Sequence, residues 1–161
     1  MDRRQGRKAV KKNPLEEILD RLGGESRIHY SLDHFVQALQ DAGSPQNTVQ
    51  TIVIGGTNGK GTASLLISAA LKEAGYQVGT YLSPHLESPL ERFQCGLVPA
   101  PLGELVPLAE AHLAIAEKHR LTYFEFLTLL CFVWATQKKL DYLVLEVGMG
   151  GRLDATNVTT P

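Results

Sequence analysis

The sequence is poor in cysteine, nearly neutral and without any long apolar run. It has two cysteines among 161 residues, Cys95 and Cys131, which form no CxxC pair, so neither a disulfide scaffold nor a cysteine-rich metal site is indicated. The formal net charge of −1 provides no overall field for nucleic acid or a membrane surface. Because no segment approaches the roughly 20 apolar residues of a membrane-spanning helix and no secretory signal opens the chain, we expect a cytoplasmic protein with neither nucleic acid nor membrane as a partner.

The composition that remains is that of an ordinary globular protein with one basic end. Hydrophobic residues make up 43% and charged residues 20% of the chain, whose length suits one domain with a substantial core. Six of the 16 lysines and arginines lie in residues 1–12, opposed there only by Asp2. We predict a disordered basic tail over residues 1–13 and one folded domain over residues 14–161, although a basic tail can also contact phosphates or act as a targeting signal.

Hydrophobic periodicity and glycine or proline boundaries predict a series of helices and strands. Predicted helices cover residues 14–22, 31–42, 62–74, 104–118 and 122–138, predicted strands cover residues 51–54, 77–82 and 141–147, and a short hairpin is expected at residues 93–98. The strand–loop–helix–strand order of residues 51–82 favours a parallel sheet with a right-handed crossover. We therefore predict an α/β fold with a doubly wound, mostly parallel sheet. The helix over residues 62–74 has Leu66, Ala70 and Ala74 on one side and Ala63, Ile67 and Leu71 beside them.

A glycine-rich segment, GGTNGKGT, spans residues 55–62 between a predicted strand and a predicted helix. Its glycines allow consecutive backbone N–H groups to turn towards a phosphate, and the positive end of the helix faces the same anion. Lys60 can reach the β- and γ-phosphates, while Thr62 can offer its hydroxyl to them or to Mg²⁺. The match to GxxxxGK[ST] is imperfect, since Ile54 takes the place of its first glycine and Gly61 separates Lys60 from Thr62, so a glycine-rich turn with a surface lysine stays an alternative. The candidate nucleotide-binding residues are Thr57, Asn58, Gly59, Lys60, Gly61 and Thr62.

The string GTNGKGT resembles the nucleotide loop of the Mur ligase superfamily, and the glycine after its lysine resembles the folate branch of that superfamily. Two more segments strengthen the resemblance: SPHL at residues 83–86, followed by Glu91-Arg92, and LEVGMGGRLDATN at residues 145–157. With TYFE at residues 122–125 between them, the chain from about Leu15 to Pro161 resembles folylpolyglutamate synthases and dihydrofolate synthases. The resemblance implies an incomplete, P-loop-type ATP-binding domain of such a ligase, with ATP and Mg²⁺ as its cofactors.

The same resemblance makes Ser83 and Glu146 the ligands of Mg²⁺ and makes Lys60 and Glu146 the residues that assist catalysis. Physical chemistry agrees, because both metal-ligand candidates fall at the carboxyl ends of predicted parallel strands, where ligands bind. A hard Mg²⁺ ion also prefers a few protein oxygens, with the remaining positions filled by phosphate and water. Taken without the resemblance, Ser83 could equally be a turn residue before Pro84, and Glu146 could equally be a strand-end carboxylate in an ion pair.

The resemblance also places a pteroate-type acceptor, either dihydropteroate or a reduced folate, against three segments. The implied residues are Arg27, Ile28, His29 and Tyr30, then Thr122, Tyr123, Phe124 and Glu125, then Leu153, Asp154 and Ala155. The TYFE segment is in addition a capping-box pattern at a helix start, and the two roles are compatible. Phe124 is available for stacking on a flat ring. His85 is expected to orient its loop and not to act as a catalytic base.

The implied reaction joins L-glutamate to the acceptor through an acyl phosphate. In the family, a histidine and a modified lysine that help to hold a second metal, and a second domain that contacts adenine and glutamate, lie beyond the residues matched here. We therefore expect little or no ligase activity from this chain alone. We also expect a monomer. Two alternatives stay open: a P-loop kinase or ATPase, whose ADP release would ignore glutamate, and a nucleotide-binding module, which would bind ATP without turnover.

Overall fold

The computed structural model describes residues 12–22 and 31–159 of the chain. Most of the predicted basic tail, and the candidate acceptor residues Arg27, Ile28, His29 and Tyr30, lie outside the described residues. Asn13, the last position of the predicted tail, is the N-cap of the first helix. Its side chain accepts a hydrogen bond from the backbone N–H of Glu16, whose carboxylate accepts one from the N–H of Asn13 in return.

The predicted helices and strands are present in the described part of the chain, with ends that agree to within two residues. The helices are α1 (Pro14–Asp20), α2 (Asp33–Asp41), α3 (Lys60–Glu73), α4 (Leu102–Lys118) and α5 (Tyr123–Lys138). The strands are β1 (Gln50–Ile54), β2 (Val78–Tyr81), β3 (Phe93–Cys95), β4 (Val98–Pro99) and β5 (Tyr142–Glu146). Short 3₁₀ turns lie at Pro45–Asn47, Pro89–Arg92 and Ala155–Val158.

These strands form one sheet in which the last strand of the chain occupies an inner position. The order is β1-β5-β2-β3-β4. Strand β5 pairs in parallel with β1 on one side and with β2 on the other, while the hairpin β3–β4 continues the sheet in antiparallel fashion beyond β2. The crossover from β1 through α3 to β2 therefore passes over the position that β5 fills, and the mostly parallel sheet is confirmed.

Helices cover both faces of this sheet. Thr80 points to the face covered by α3, where its hydroxyl donates a hydrogen bond of 2.7 Å to the hydroxyl of Ser68. Its neighbours point to the opposite face, against α5: a β-carbon at Gly79 would lie 3.6 Å from the Trp134 ring, and the Tyr81 and Phe124 ring centroids are 6.0 Å apart. Helix α4 packs on the outer side of α5 and against α1. The prediction of a doubly wound α/β fold is thus confirmed.

The core lies mainly around α5, and the buried residues of α3 are two serines. Every residue of α5 from Glu125 to Ala135 is buried. On α3, by contrast, the buried residues are Ser64 and Ser68, whereas Leu66 is 66% exposed. The serine hydroxyls are satisfied locally, since Ser64 donates to the Lys60 carbonyl and Ser68 accepts from the sheet, so these small side chains face the strands. Within residues 12–22 and 31–159, no helix combines the length and hydropathy needed to cross a bilayer.

Candidate active site

Three parallel strands end side by side at one edge of the sheet. In the register of the sheet, Ile54 of β1 lies opposite Glu146 of β5, and Tyr81 of β2 lies opposite Leu145 of β5. The glycine-rich loop after β1 and the Ser83 loop after β2 therefore flank the end of β5. Because carboxyl ends of parallel strands are where α/β proteins bind ligands, this edge is the place to look for a site.

The glycine-rich loop delivers the positive end of α3 to this edge. Helix α3 begins at Lys60, two residues earlier than predicted, with Gly59 as its N-cap in a left-handed conformation of φ +78°. Its first intrahelical bond runs from the Ala63 N–H to the Gly59 carbonyl at 2.9 Å. The N–H groups of Lys60, Gly61 and Thr62 thus have no intrahelical acceptor, and no acidic residue stands in the first turn. Such a helix start favours a bound anion.

The Lys60 side chain lies over the glycine turn. Its Cγ would be 3.9 Å from a β-carbon at Gly56, so the aliphatic part of the side chain covers that residue. Within residues 12–22 and 31–159, the Lys60 ammonium has no hydrogen-bond acceptor. Thr57 and Asn58 are exposed at the tip of the same loop. The six residues predicted to bind nucleotide thus form one continuous surface at the start of α3.

Glu146 links this surface to the Ser83 loop. The Glu146 side chain is 6% exposed, and its Oε2 accepts a 2.8 Å hydrogen bond from the backbone N–H of Ser83. In the described part of the chain, Oε1 accepts no hydrogen bond. A β-carbon at Gly61 would lie 3.5 and 3.6 Å from the two carboxylate oxygens, so a glycine at this position leaves the carboxylate room beside the first turn of α3.

This arrangement fits a magnesium ion. No group of three or more His, Cys, Asp or Glu side chains that could hold a metal occurs among the described residues. A site at Glu146 would therefore use the free Oε1 and the Ser83 hydroxyl, leaving the other positions to phosphate and water. That donor set of few protein oxygens is the one Mg²⁺ takes in nucleotide sites, whereas zinc would require more nitrogen or sulfur ligands.

The Glu91 carboxylate binds several backbone N–H groups of the loop after β2. The Ser83–Pro84 peptide bond is cis. Glu91 accepts hydrogen bonds from three consecutive backbone N–H groups, those of Leu86, Glu87 and Ser88, at 2.9, 2.9 and 2.7 Å. These bonds to the charged form lower the pKa of the Glu91 carboxyl. The loop thus has its own support and presents Leu86 with 92% of its surface exposed.

The turn that opens α5 forms a second wall of the site. The predicted capping box is confirmed: the Glu125 N–H donates to Thr122 Oγ1 at 3.2 Å, and the Thr122 N–H donates to Glu125 Oε2 at 2.8 Å. The other Glu125 oxygen lies 3.0 Å from Nε2 of His34 on α2. Thr122 and Glu125 are buried, and their hydrogen bonds shape the turn. Tyr123 and Phe124, which lie between them, are half-buried.

The Phe124 ring closely approaches the loop that follows β5. A β-carbon at Gly148 would lie only 2.7 Å from Cζ of that ring, so the contact requires a residue without a side chain. In the same loop, Asp154 Oδ2 accepts from the Met149 N–H at 2.7 Å, and Oδ1 accepts from the Thr156 N–H and hydroxyl at 3.0 and 2.6 Å. Asp154 is buried and closes this loop on itself.

The described candidates thus gather at one edge of the sheet, but their exposure differs. Leu153 is 52% exposed and available to a ligand, whereas Ala155 is buried in the core and Asp154 has both oxygens engaged by its own loop. Sequence reasoning missed contacts of His34 and Gly148, for which the sequence carries no local signal. It noted Arg92 only as part of a motif, although this residue is buried and its Nε donates to Nδ1 of His85 at 2.8 Å.

Comparison with curated proteins finds similar sequences among folate enzymes. No family model matches the sequence. A dihydrofolate synthase/folylpolyglutamate synthase of Buchnera aphidicola is 47% identical over 108 residues, which are 65% of this chain and 25% of that protein. The dihydrofolate synthetase of Saccharomyces cerevisiae is 35% identical over 133 residues, which are 81% of this chain and 31% of that protein. The chain thus spans about a quarter to a third of these relatives' length, in their N-terminal portion.

Solved structures give the same result for the fold. The folylpolyglutamate synthase of Thermotoga maritima superposes with a TM-score of 0.84 at 36% identity, over 91% of this chain and 36% of that one. An FPGS–AMPPCP–folate complex gives 0.82 at 33% identity, over 91% of this chain and 38% of that one. The FolC protein of E. coli in complex with DHPP and ADP gives 0.80 at 35% identity, over 91% of this chain and 36% of that one.

Proposed function

Since this chain belongs to the folylpolyglutamate synthase and dihydrofolate synthase family, we propose that it supplies the ATP-binding part of a ligase that joins L-glutamate to dihydropteroate or a reduced folate. The observation that carries the proposal is the position of the Glu146 carboxylate between the first turn of α3 and Ser83. Structural relatives in complex with AMPPCP and folate, or with DHPP and ADP, support both a nucleotide and a pterin-containing acceptor.

The proposed reaction has two steps. A carboxylate oxygen of the acceptor attacks the γ-phosphorus of ATP, which gives an acyl phosphate and releases ADP. The amino group of glutamate then attacks the acyl carbon, an amide forms, phosphate leaves and the amine gives up a proton. Neither step needs a nucleophilic side chain, so positioning and electrostatics supply the catalysis.

The residues at the sheet edge have distinct tasks in this proposal. Lys60 and the N–H groups of the first turn of α3 bind the β- and γ-phosphates and stabilise the charge that develops there. The Ser83 hydroxyl and Glu146 would hold Mg²⁺, which supplies positive charge that screens the phosphates from the incoming carboxylate. Tyr123, Phe124 and Leu153 would contact the acceptor, while Asp154 would act by shaping its loop.

We further propose a cytoplasmic monomer whose 161-residue chain alone has little or no ligase activity. Cys95 and Cys131 are free thiols, which supports a reducing compartment. The chain spans only about a third of its relatives, so groups that complete their sites are expected elsewhere. Glutamate-dependent release of ADP by the 161-residue chain would contradict the expectation about activity.

The first experiment is a calorimetric titration of Mg-ATP into the protein and into its Lys60→Ala variant. We expect the affinity to fall by about tenfold or more in the variant, since a charge-assisted hydrogen bond to phosphate contributes about 1.5–3 kcal/mol. Lys72→Ala is the matched control, because Lys72 is an exposed lysine near the far end of the same helix, where it donates to the Gly96 carbonyl. Equal affinities in the Lys60→Ala and Lys72→Ala variants would mean that the Lys60 ammonium does not bind phosphate.

A second experiment distinguishes the ligase from the two alternatives. In the protein at its natural full length, ADP release should require a pteroate-type acceptor and should increase when glutamate is added. Release that ignores glutamate would indicate a kinase or ATPase, and binding of ATP without any turnover would indicate a binding module.

A further inference from the structure

Arg92 is a buried cation beside the proposed site. It ends the 3₁₀ turn that precedes β3 and is only 4% exposed. Its Nε–H donates a 2.8 Å hydrogen bond to Nδ1 of His85, two residues after Ser83. The guanidinium thus contacts the loop that carries a proposed metal ligand.

The same guanidinium packs on the turn that opens α5. Its Cζ lies 5.9 Å from the ring centroid of Tyr123 and 5.9 Å from that of Phe124. Both distances fall within the range of cation–π attraction, which strengthens when the cation is removed from water. Burial raises the pKa of the Tyr81 phenol, and the positive charge of Arg92 opposes that increase. One side chain therefore bridges the Ser83 loop, through His85, and the rings of Tyr123 and Phe124, which together form an aromatic wall.

We propose that Arg92 is a positioning residue of the ligase reaction, which fixes the aromatic wall of the acceptor site relative to the loop that carries Ser83. This inference rests on the function proposed above. Arginine suits the task better than lysine because its planar group can donate in its plane to an imidazole while its faces rest against aromatic rings. A lysine ammonium is a compact charge that cannot make these contacts in the same geometry.

The two sides of the bridge depend on Arg92 to different degrees. The Ser83 loop keeps other supports, namely the three N–H bonds to Glu91 and the bond from Ser83 to Glu146. Phe124 has a close contact with Gly148, but its orientation above the buried Tyr81 also depends on the guanidinium. Loss of Arg92 should therefore affect the acceptor far more than the nucleotide.

The test compares Michaelis constants in the protein at its natural full length. For Arg92→Met, which keeps length and apolar volume, we expect the KM for the pteroate acceptor to increase about tenfold, equivalent to about 1.4 kcal/mol. The KM for Mg-ATP should change by less than about threefold, or about 0.7 kcal/mol. Arg92→Lys keeps the charge and should restore part of the acceptor KM, and circular dichroism of both variants reports folding. If the methionine variant does not fold, the lysine variant alone should still show an increase confined to the acceptor.

Trp134→Phe is the matched control on the same helix. Trp134 is buried near the other end of α5, and its Nε1–H donates to Glu104 at 2.8 Å. The control removes the bond to Glu104, while phenylalanine keeps an aromatic ring at the contact of residue 134 with Phe93, so neither KM should change. An equal increase in acceptor KM for Trp134→Phe, or equal changes in both Michaelis constants for Arg92→Met, would overturn the role of Arg92. A wild-type protein without glutamate-dependent turnover would instead overturn the proposed function itself.

Discussion

Gly61 is one of the two departures of the phosphate loop from the general motif. In the sequence, this glycine separates Lys60 from Thr62 and weakens the match to the general motif. In the structure, Gly61 occupies the first turn of α3 directly beside the Glu146 carboxylate. At this departure from the motif, the Glu146 side chain of β5 approaches the start of α3.

Enlarging Gly61 should displace that carboxylate. A β-carbon alone would be in ordinary contact with the Glu146 oxygens at 3.5 and 3.6 Å, but the methyl groups of valine extend farther and would overlap them. We expect Gly61→Val to weaken Mg-ATP binding by about tenfold, which is about 1.4 kcal/mol, and Gly61→Ala to have a smaller effect. Calorimetry with and without Mg²⁺ measures both. Gly103→Val is the control, because no atom lies within 4 Å of the β-carbon position at Gly103. Unchanged Mg²⁺-dependent binding in Gly61→Val would show that the carboxylate is not needed there.

Contacts between near neighbours in the chain could be predicted at the residue scale, and distant contacts could not. The capping box of Thr122 and Glu125 follows from a spacing of three residues, so the sequence alone predicts it. The packing of Arg92 on Phe124, and the pairing of His34 with Glu125, join residues from separate elements. No spacing rule relates such residues, because only the tertiary fold brings them together.

Helix α3 shows how a hydrophobic pattern can mislead at the scale of one element. The sequence of α3 has apolar residues around most of the helix, with Leu66, Ala70 and Ala74 on one side and Ala63, Ile67 and Leu71 beside them. The structure instead turns Ser68 towards the sheet, where its hydroxyl pairs with Thr80. Periodicity locates a helix well but does not identify its buried side when apolar residues are spread around it.

The Ser68–Thr80 pair gives a stability prediction for this helix. Ser68→Ala removes the acceptor of a buried hydroxyl, and we expect a loss of about 1–3 kcal/mol in the free energy of unfolding. Adding Thr80→Val also removes the Thr80 hydroxyl that has lost its acceptor, so the double variant should recover most of the lost stability. Urea unfolding of the single and double variants measures both values. A double variant that is less stable than Ser68→Ala would contradict this account.

At the scale of the whole molecule, the sequence predicts the class of sheet but not its order. The apolar run Tyr142-Leu143-Val144-Leu145 indicates a strand buried on both faces, and β5 is such a strand. Nothing in that run indicates which strands flank it. Its place between β1 and β2 is seen only in the folded structure, and this place puts Glu146 next to both loops.

Three carboxyl groups whose pKa is lower in the folded chain than usual predict a loss of stability in acid. Hydrogen bonds lower the pKa of three carboxyls: Asp41 through His119 and Lys118, Glu91 through backbone N–H groups, and Glu104 through Trp134 and Lys138. Their pKa values are lower in the folded than in the unfolded chain, so the unfolded chain binds more protons as the pH decreases. The stabilisation should be complete above about pH 4.5, the ordinary value for glutamate, and decline as the pH falls below it.

Thermal melts from neutral to acidic pH check this expectation. Glu104→Gln should reduce the dependence of Tm on pH, because the amide does not titrate. Glu110→Gln is the control, since Glu110 is an exposed residue of the same helix. A Tm that stays constant or increases on acidification would show that these hydrogen bonds do not stabilise the folded state.

The inner position of β5 also has a consequence for biosynthesis. Residue 50 pairs with residue 142, so the ribosome must synthesise more than ninety further residues before β1 acquires its neighbour. Until then the edges of β1 and β2 that flank β5 have no partner, and a nascent chain presents open backbone groups that can pair with other chains. Pairing between segments so distant in the chain is slow, and the phosphate loop and Ser83 become parts of one site only when translation has passed Glu146.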